Sequence, residues 1–254
     1  MSYGYTGKIL HVNLTTSEIK VEEPEEQFYR TYMGGSAMGM YYVLKETPAG
    51  AEALSPENVL ALCTGVVTGT PISGQSRLTS VAKSPLTGCI GDAQGGGYFP
   101  AEMKFSGFDA VIIKGKSPKP VYLWMHHGEA ELRDASHLWG MTTGDAEDKL
   151  KEELEDKRIE VLQIGPAGEN LVRFAALISM SNRANGRTGM GAVMGSKNLK
   201  AVVVRGKQKP TIANPEKFKE LQKLAKTNLE PTGMDDFGKY GTPDVCSPQN
   251  KSGG

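Results

Sequence analysis

Cysteine is scarce in this chain. Its 254 residues include three, Cys63, Cys89 and Cys246, and none forms a CxxC pair or has a histidine close by in sequence. That excludes a disulfide-stapled scaffold and leaves no zinc-site spacing. So low a count fits a reducing cytoplasm. Cys63 and Cys89 stand in apolar or glycine-rich surroundings and are expected to be small buried residues. Charge of one sign is also lacking. Lys+Arg and Asp+Glu both number 29, so the formal net charge is zero and nucleic acid is not an expected partner. No apolar run is long enough to span a bilayer, and the opening MSYGYTGKIL holds no signal-peptide core. No membrane association and a cytoplasmic location are expected. Histidine is rare too, with four. His126 and His127 fall at an expected hairpin tip, where neighbours point to opposite faces and do not share a metal. His11 and His137 have no partner in sequence and read as ordinary hydrogen-bonding residues.

What the chain has in excess is glycine, 31 residues gathered in four places. The densest stretch is Ser181 to Lys200, SNRANGRTGMGAVMGSKNLK. Glycine lets a backbone approach a ligand closely, and arginine is a planar, permanent cation suited to phosphate. Arg183 and Arg187 among glycines, ahead of a helix-like segment, fit a seat for a phosphorylated ligand. They fit equally a tight turn with two solvated arginines. Gly189 to Gly195 imitates a dinucleotide fingerprint, but its spacing is GxGxxxG and it follows a polar segment rather than a strand, which argues against a nicotinamide site.

Gly7 to Glu23 reads as a hairpin. A helix is expected from Pro24 to Leu44, interrupted by Gly34, Gly35 and Gly39, where either a ligand or a second helix comes close. Strands are expected at Val59–Cys63, Leu78–Ala82, Ala110–Lys114, Val121–Met125, Glu129–Arg133, Val161–Ile164, Leu171–Ile178 and Ala201–Val204. Gly65 to Ser76, Lys83 to Gly88 and Asp92 to Tyr98 read as loops. Helices are expected at Phe99–Phe105, ended by Gly107, and at Asp145–Lys157 with a solvated charged face. Arg205 to Pro210 reads as a linker. Asn214-Pro215 then caps a helix with an apolar stripe of Phe218, Leu221, Leu224 and Ala225, ending near Asn228, and the rest is turn-rich. Strands outnumber helices and short turns join many of them, which predicts an α+β fold with largely antiparallel sheets.

Five motifs occur together and in order: Gly7-Lys-Ile-Leu-His-Val-Asn-Leu14, Leu54-Ser-Pro-Glu-Asn58, Lys83-Ser-Pro-Leu-Thr-Gly88, Gly165-Pro-Ala-Gly-Glu-Asn170 and Gly189-Met-Gly-Ala-Val-Met-Gly-Ser-Lys-Asn-Leu-Lys200. The set closely resembles the N-terminal domain of the tungsten-containing aldehyde:ferredoxin oxidoreductase family over residues 4–206, and more weakly beyond. The resemblance implies two packed, mostly antiparallel β-sheets with flanking helices, forming a base for a tungsten (or molybdenum) bis-pyranopterin. It implies cofactor contacts from Arg77, Gln94, Gly95, Gly96, Arg183, Ala184, Asn185, Gly186 and Arg187. Magnesium bridging the pterin phosphates would take Gln94, where the family has asparagine, and the backbone carbonyl of Ala184. Gly34-Gly-Ser36-Ala departs from the family's GGRG and removes a charge.

The resemblance also implies that the [4Fe–4S] ligands and the acid/base residues belong to later domains, Cys246 standing alone here. Residues 1–206 are expected to be the cofactor-base domain and 207–254 the incomplete start of a helical second domain. The implied activity of the whole protein is oxidation of aldehydes to carboxylic acids with ferredoxin as acceptor, with a homodimer or partner subunits. This stretch alone is expected to be inactive. A benzoyl-CoA-reductase-type subunit acting on an aromatic thioester, and a non-catalytic binding module, are the alternatives.

Overall fold

The computed structural model describes residues 3–227 and 234–253. Its strands and helices follow in order. The first half holds β1 (Ile9–Asn13), β2 (Glu18–Glu22), α1 (Glu26–Tyr32), α2 (Gly35–Glu46), β3 (Leu60–Thr64), β4 (Leu78–Lys83), β5 (Ile90–Gly95), α3 (Phe99–Phe105) and β6 (Ala110–Lys114). Then come β7 (Val121–His126), β8 (Glu129–Asp134), α4 (Thr143–Glu153), β9 (Glu160–Gln163), α5 (Pro166–Glu169), β10 (Leu177–Ser179), β11 (Arg183–Asn185), α6 (Met190–Ser196) and β12 (Leu199–Arg205). Last are α7 (Pro215–Thr227), α8 (Met234–Tyr240) and α9 (Cys246–Ser252).

Two six-stranded sheets form, in the orders β2-β1-β6-β3-β4-β5 and β11-β10-β9-β12-β7-β8. Each has one parallel pair, β1 with β6 and β7 with β12, and is otherwise antiparallel. Alternation along β12 explains the layering. Val202 and Val204 join Leu10, Leu62, Val111, Leu123 and Leu162 in a core between the sheets, with Phe99 and Met103 of α3 and Met190, Val193 and Met194 of α6. Ala201 and Val203 face the other way and pack with Tyr122, Trp124 and Leu150 under α4. On the opposite outer face, Ala61, Cys63, Val81 and Ile112 pack under Tyr29, Met38, Tyr42 and Val43 of α1 and α2. The result is four layers, helix–sheet–sheet–helix. Central strands are covered on both faces, so they read as unbroken apolar runs.

Several expectations need correction. Residues 24–44 are two helices, because Met33 and Gly34 take φ of 52° and 113° and end the first. Gly39 admits a strand rather than a ligand or a second helix: a Cβ there would meet Val81 Cγ2 at 2.5 Å. Residues 171–176 are turn, and the strand is only Leu177–Ser179. Charged α4 begins at Thr143, capped by Thr142 Oγ1 accepting from Asp145 N at 3.3 Å, and ends at Glu153. Residues 205–210 are no free linker. Gly206 N donates to Glu102 Oε1 at 2.8 Å and Gln208 N to Phe105 O at 3.0 Å, tying the segment to α3. Cys89 is exposed, whereas Cys63 is buried.

The chain forms two compact units, Met1–Thr70 with Gln75–Thr211, and Pro71–Gly74 with Ile212–Gly254. In the second unit α7 is capped as expected, Asn214 Oδ1 accepting from Lys217 N at 3.0 Å. Leu221 and Leu224 on its apolar stripe are exposed. The side chain of Ala225, and Asn228, lie outside the described residues. The stretch expected to be turn-rich carries α8, a 3-10 turn at Thr242–Val245 and α9.

Candidate active site at the meeting of two sheet edges

The burial along β5 alternates strictly. Gly91, Ala93 and Gly95 are buried, while Ile90 and Gln94 are exposed and Asp92 is half-buried. Asp92 to Gly95 is therefore strand, not loop. Its buried positions are small because the second sheet's edge presses on them. A Cβ on Gly91 would lie 2.6 Å from Met190 Cε, and one on Gly95 would overlap the Asn185 side chain. Without apolar side chains, the stretch has no strand signature in the sequence.

The free loop is shorter than expected, Gly96 to Tyr98, and it lies between arginines from both sheets. A Cβ on Gly96 would be 2.6 Å from Arg77 Nη1, and one on Gly97 would be 3.0 Å from Arg183 Cγ. Ser76 Oγ donates to Gly97 O at 2.6 Å, and Tyr98 N donates to Met180 Sδ at 3.1 Å. Arg77, Arg183 and Arg187 are exposed. Among the described residues, none of the three has a carboxylate partner, and neither has Arg173, whereas Arg30, Arg133, Arg158 and Arg205 are all paired. Ala184 and Gly186 are also exposed. Gln94 is directly opposite Thr79 on β4, and the N-terminus of α2 comes to that face, where a Cβ on Gly35 would be 3.3 Å from Thr79 Oγ1. The first turn of α2, including Ser36, thus sits by β4, the strand paired with the one that carries Gln94.

Not every candidate residue faces solvent. Asn185 is 2% exposed and its side chain points into the protein. The glycines after Arg187 are also interior. Gly189 takes φ of 76° against Arg173, Gly191 lies 2.5 Å in Cβ terms from Ala176 O, and Gly195 abuts Gly168 of α5. Gly191 N donates to Ala175 O at 2.9 Å, so the start of the seven-residue α6 is occupied by the chain itself. The GxGxxxG spacing serves helix packing and offers no dinucleotide seat. Ser76, Met180 and Tyr98 belong to the face and carry no motif that would have marked them.

Elsewhere the charged residues are structural. Lys104 Nζ donates to Gly4 O and Gly65 O, both at 2.7 Å, and lies 3.8 Å from Asp109; burial brings its pKa down to about 8. Burial alone lowers Lys197 to about 7, with Gly115 O at 3.3 Å as its nearest acceptor. His11 bonds Glu22 at 2.6 Å and His137 bonds Glu153 at 2.9 Å, as ordinary histidines do. Clefts of 610 Å³ beside His11 and 490 Å³ beside Tyr5 lie away from the arginine face. No cluster of three metal-ligating side chains exists among the described residues. No helix there is long and apolar enough to cross a membrane.

The profile of the aldehyde ferredoxin oxidoreductase N-terminal domain matches residues 9–206. The chain belongs to this family. Tungsten-containing aldehyde ferredoxin oxidoreductases of Pyrococcus abyssi and Pyrococcus horikoshii are 47% and 46% identical to it over 253 residues, 99% of this chain. The chain spans 42% of the length of each. An aliphatic sulfonate oxidoreductase, WOR-like subunit, of Pyrococcus furiosus is 35% identical over 94% of this chain and 40% of its own. Among solved structures, the active-site complex BamBC of benzoyl-coenzyme A reductase with 1,5-dienoyl-CoA superposes with a TM-score of 0.85 at 37% identity, over 88% of this chain and 34% of that one. These relatives are oxidoreductases by name, and the aldehyde ferredoxin oxidoreductase fold seen here is the expected pair of packed, mostly antiparallel sheets.

Proposed function

We propose that the face between β5 and β11 seats the phosphates of a tungsten (or molybdenum) bis-pyranopterin, making this chain the cofactor-bearing part of an oxidoreductase. The observation that carries this is the convergence of Arg77 and Arg183, exposed and without carboxylates, on Gly96 and Gly97, with Arg187 exposed four residues along the chain from Arg183. A dianionic phosphate fits such a set: arginine forks supply charge-assisted hydrogen bonds, and the side-chain-free loop lets it approach the backbone. Gly186 leaves the same room beside Ala184, where a Cβ would meet only Ala184 Cβ at 3.8 Å. Magnesium takes oxygen ligands, few of them from protein. The exposed Gln94 amide oxygen and the Ala184 carbonyl are the groups this chain offers it. The bound cofactor would supply the two-electron redox chemistry, and the protein supplies binding, orientation and electrostatics.

In the whole protein the reaction is oxidation of an aldehyde to a carboxylic acid with ferredoxin as acceptor, through a [4Fe–4S] cluster held outside residues 1–254. Homodimer or partner-subunit contacts go with that assignment, and residues 207–254 begin a second domain. The names of the 47% and 46% identical relatives favour it. The benzoyl-CoA-reductase-type reading, with an aromatic thioester as substrate, is favoured by the superposition on BamBC. Anaerobic purification of the chain from tungstate-fed cells tests the shared premise. Tungsten and pterin should accompany the wild type and fall in Arg183→Ala. Retention of both in that variant sinks the site.

A further inference from the structure

We propose that Asn185 is a positioning residue that locks the arginine loop of one sheet onto the glycine strand of the other, so that Arg77 and Arg183 act on one ligand. Its amide nitrogen lies 2.8 Å from Ala93 O, 3.3 Å from Leu78 O and 3.2 Å from Ser80 Oγ. All three acceptors are on β4 or β5, the last two strands of the first sheet. Asn185 itself ends β11, the edge of the second sheet. Two of the acceptors are backbone carbonyls, so the NH2 group, not the amide oxygen, must face them. Gly95 completes the fit, since any side chain there would collide with the Asn185 amide.

The flanking residues show what is being held. Ala184 and Gly186 are exposed on either side, and Arg183 and Arg187 stand one residue further out. A buried residue with exposed neighbours pins the loop at its middle and leaves both arginines free. Ser80 reinforces the same spot, its Oγ donating to Ala93 O at 3.1 Å. Beyond the loop, Ser84 Oγ donates to Thr188 O at 2.8 Å and makes a second tie between the sheets. Each tie is buried or half-buried, where a lost hydrogen bond leaves stranded carbonyls and is felt in full. The proposal uses the pterin-phosphate assignment for its ligand, but its geometry stands independently.

The test is hydrogen–deuterium exchange and inorganic pyrophosphate binding on the full chain, comparing wild type with Asn185→Asp. The carboxylate keeps the shape but faces two carbonyl oxygens. Amides of residues 181–188 and 91–97 should exchange about tenfold faster and pyrophosphate should bind about tenfold more weakly. Exchange in β6 and β12 should not change. Unchanged exchange in the two segments, or acceleration spread evenly through both sheets, would overturn the positioning role. If Asn185→Asp does not fold, Ser80→Ala decides: faster exchange confined to the same segments supports the lock, and none refutes it. Should wild-type chain bind neither pyrophosphate nor tungsten cofactor, the pterin assignment fails, while the exchange pattern alone still judges Asn185.

Discussion

From Ser181 to Arg187 every residue is exposed except Asn185; from Gly189 to Lys197 every residue is buried. Both stretches carry glycine and cations, so in sequence they look like one loop. In the first, arginines without carboxylates project from a strand edge. In the second, glycines let α6 press against the backbone of residues 168 and 173–176. The contrast teaches that a glycine cluster reports a close approach but does not say of what. Exposure and the identity of the approaching atom decide between a ligand and the chain's own backbone.

Substitutions can break that contrast, and the largest effect belongs to the buried half. Gly191→Val places carbon atoms where Ala175 and Ala176 backbone already sits. It should cost about 3 kcal/mol or more and leave little folded protein, as overpacking of a closed site does; a normal urea midpoint would contradict it. In the exposed half, Arg183→Ala should weaken pyrophosphate binding by about tenfold to a hundredfold, the range for a charge-assisted hydrogen bond, while the urea midpoint stays put. Equal loss of binding and stability would mean that Arg183 is structural.

Lys197 gives a smaller effect and a pH signature. Burial lowers its pKa to about 7, below the ordinary lysine value of 10.5. The unfolded chain then binds more protons than the folded one between these values, so this residue makes stability rise with pH across that window. Below pH 7 the penalty is fully present. Lys197→Met should raise stability at pH 6.5 by about 1–2 kcal/mol and flatten the rise toward pH 9.5. Denaturant midpoints at the two pH values check this. The smallest change is expected at Gly186, which has open space around it. Gly186→Ala should shift stability by less than about 0.5 kcal/mol, in sharp contrast to Gly191. A loss comparable to Gly191→Val would erase the distinction between the halves.

The central strands were legible because burial on both faces makes them continuous apolar runs, as in β3, β6, β7 and β12. β5 was not, because its inward positions are glycine and alanine, chosen for the neighbour and not for strand propensity. Leu171 to Ala176 misled in the opposite sense, with apolar residues in turns. Cys89 is exposed although its glycine-rich setting suggested otherwise. At the site, Arg77, Arg183 and Arg187 were recognisable by their motifs, but Asn185 looked like one more contact residue and proves to point inward.

The sequence by itself determined which groups are available: permanent cations beside residues without side chains, in motifs that mark the family. It could not determine that they meet. Arg77 precedes β4 in one sheet and Arg183 opens β11 in the other. Their proximity depends on the Asn185 amide reaching Ala93 O, 92 positions away in the chain. It depends also on Gly91, Ala93 and Gly95 being small enough to admit that edge. Local propensity carries no information about such a contact, because its geometry exists only once both sheets have closed on their shared core.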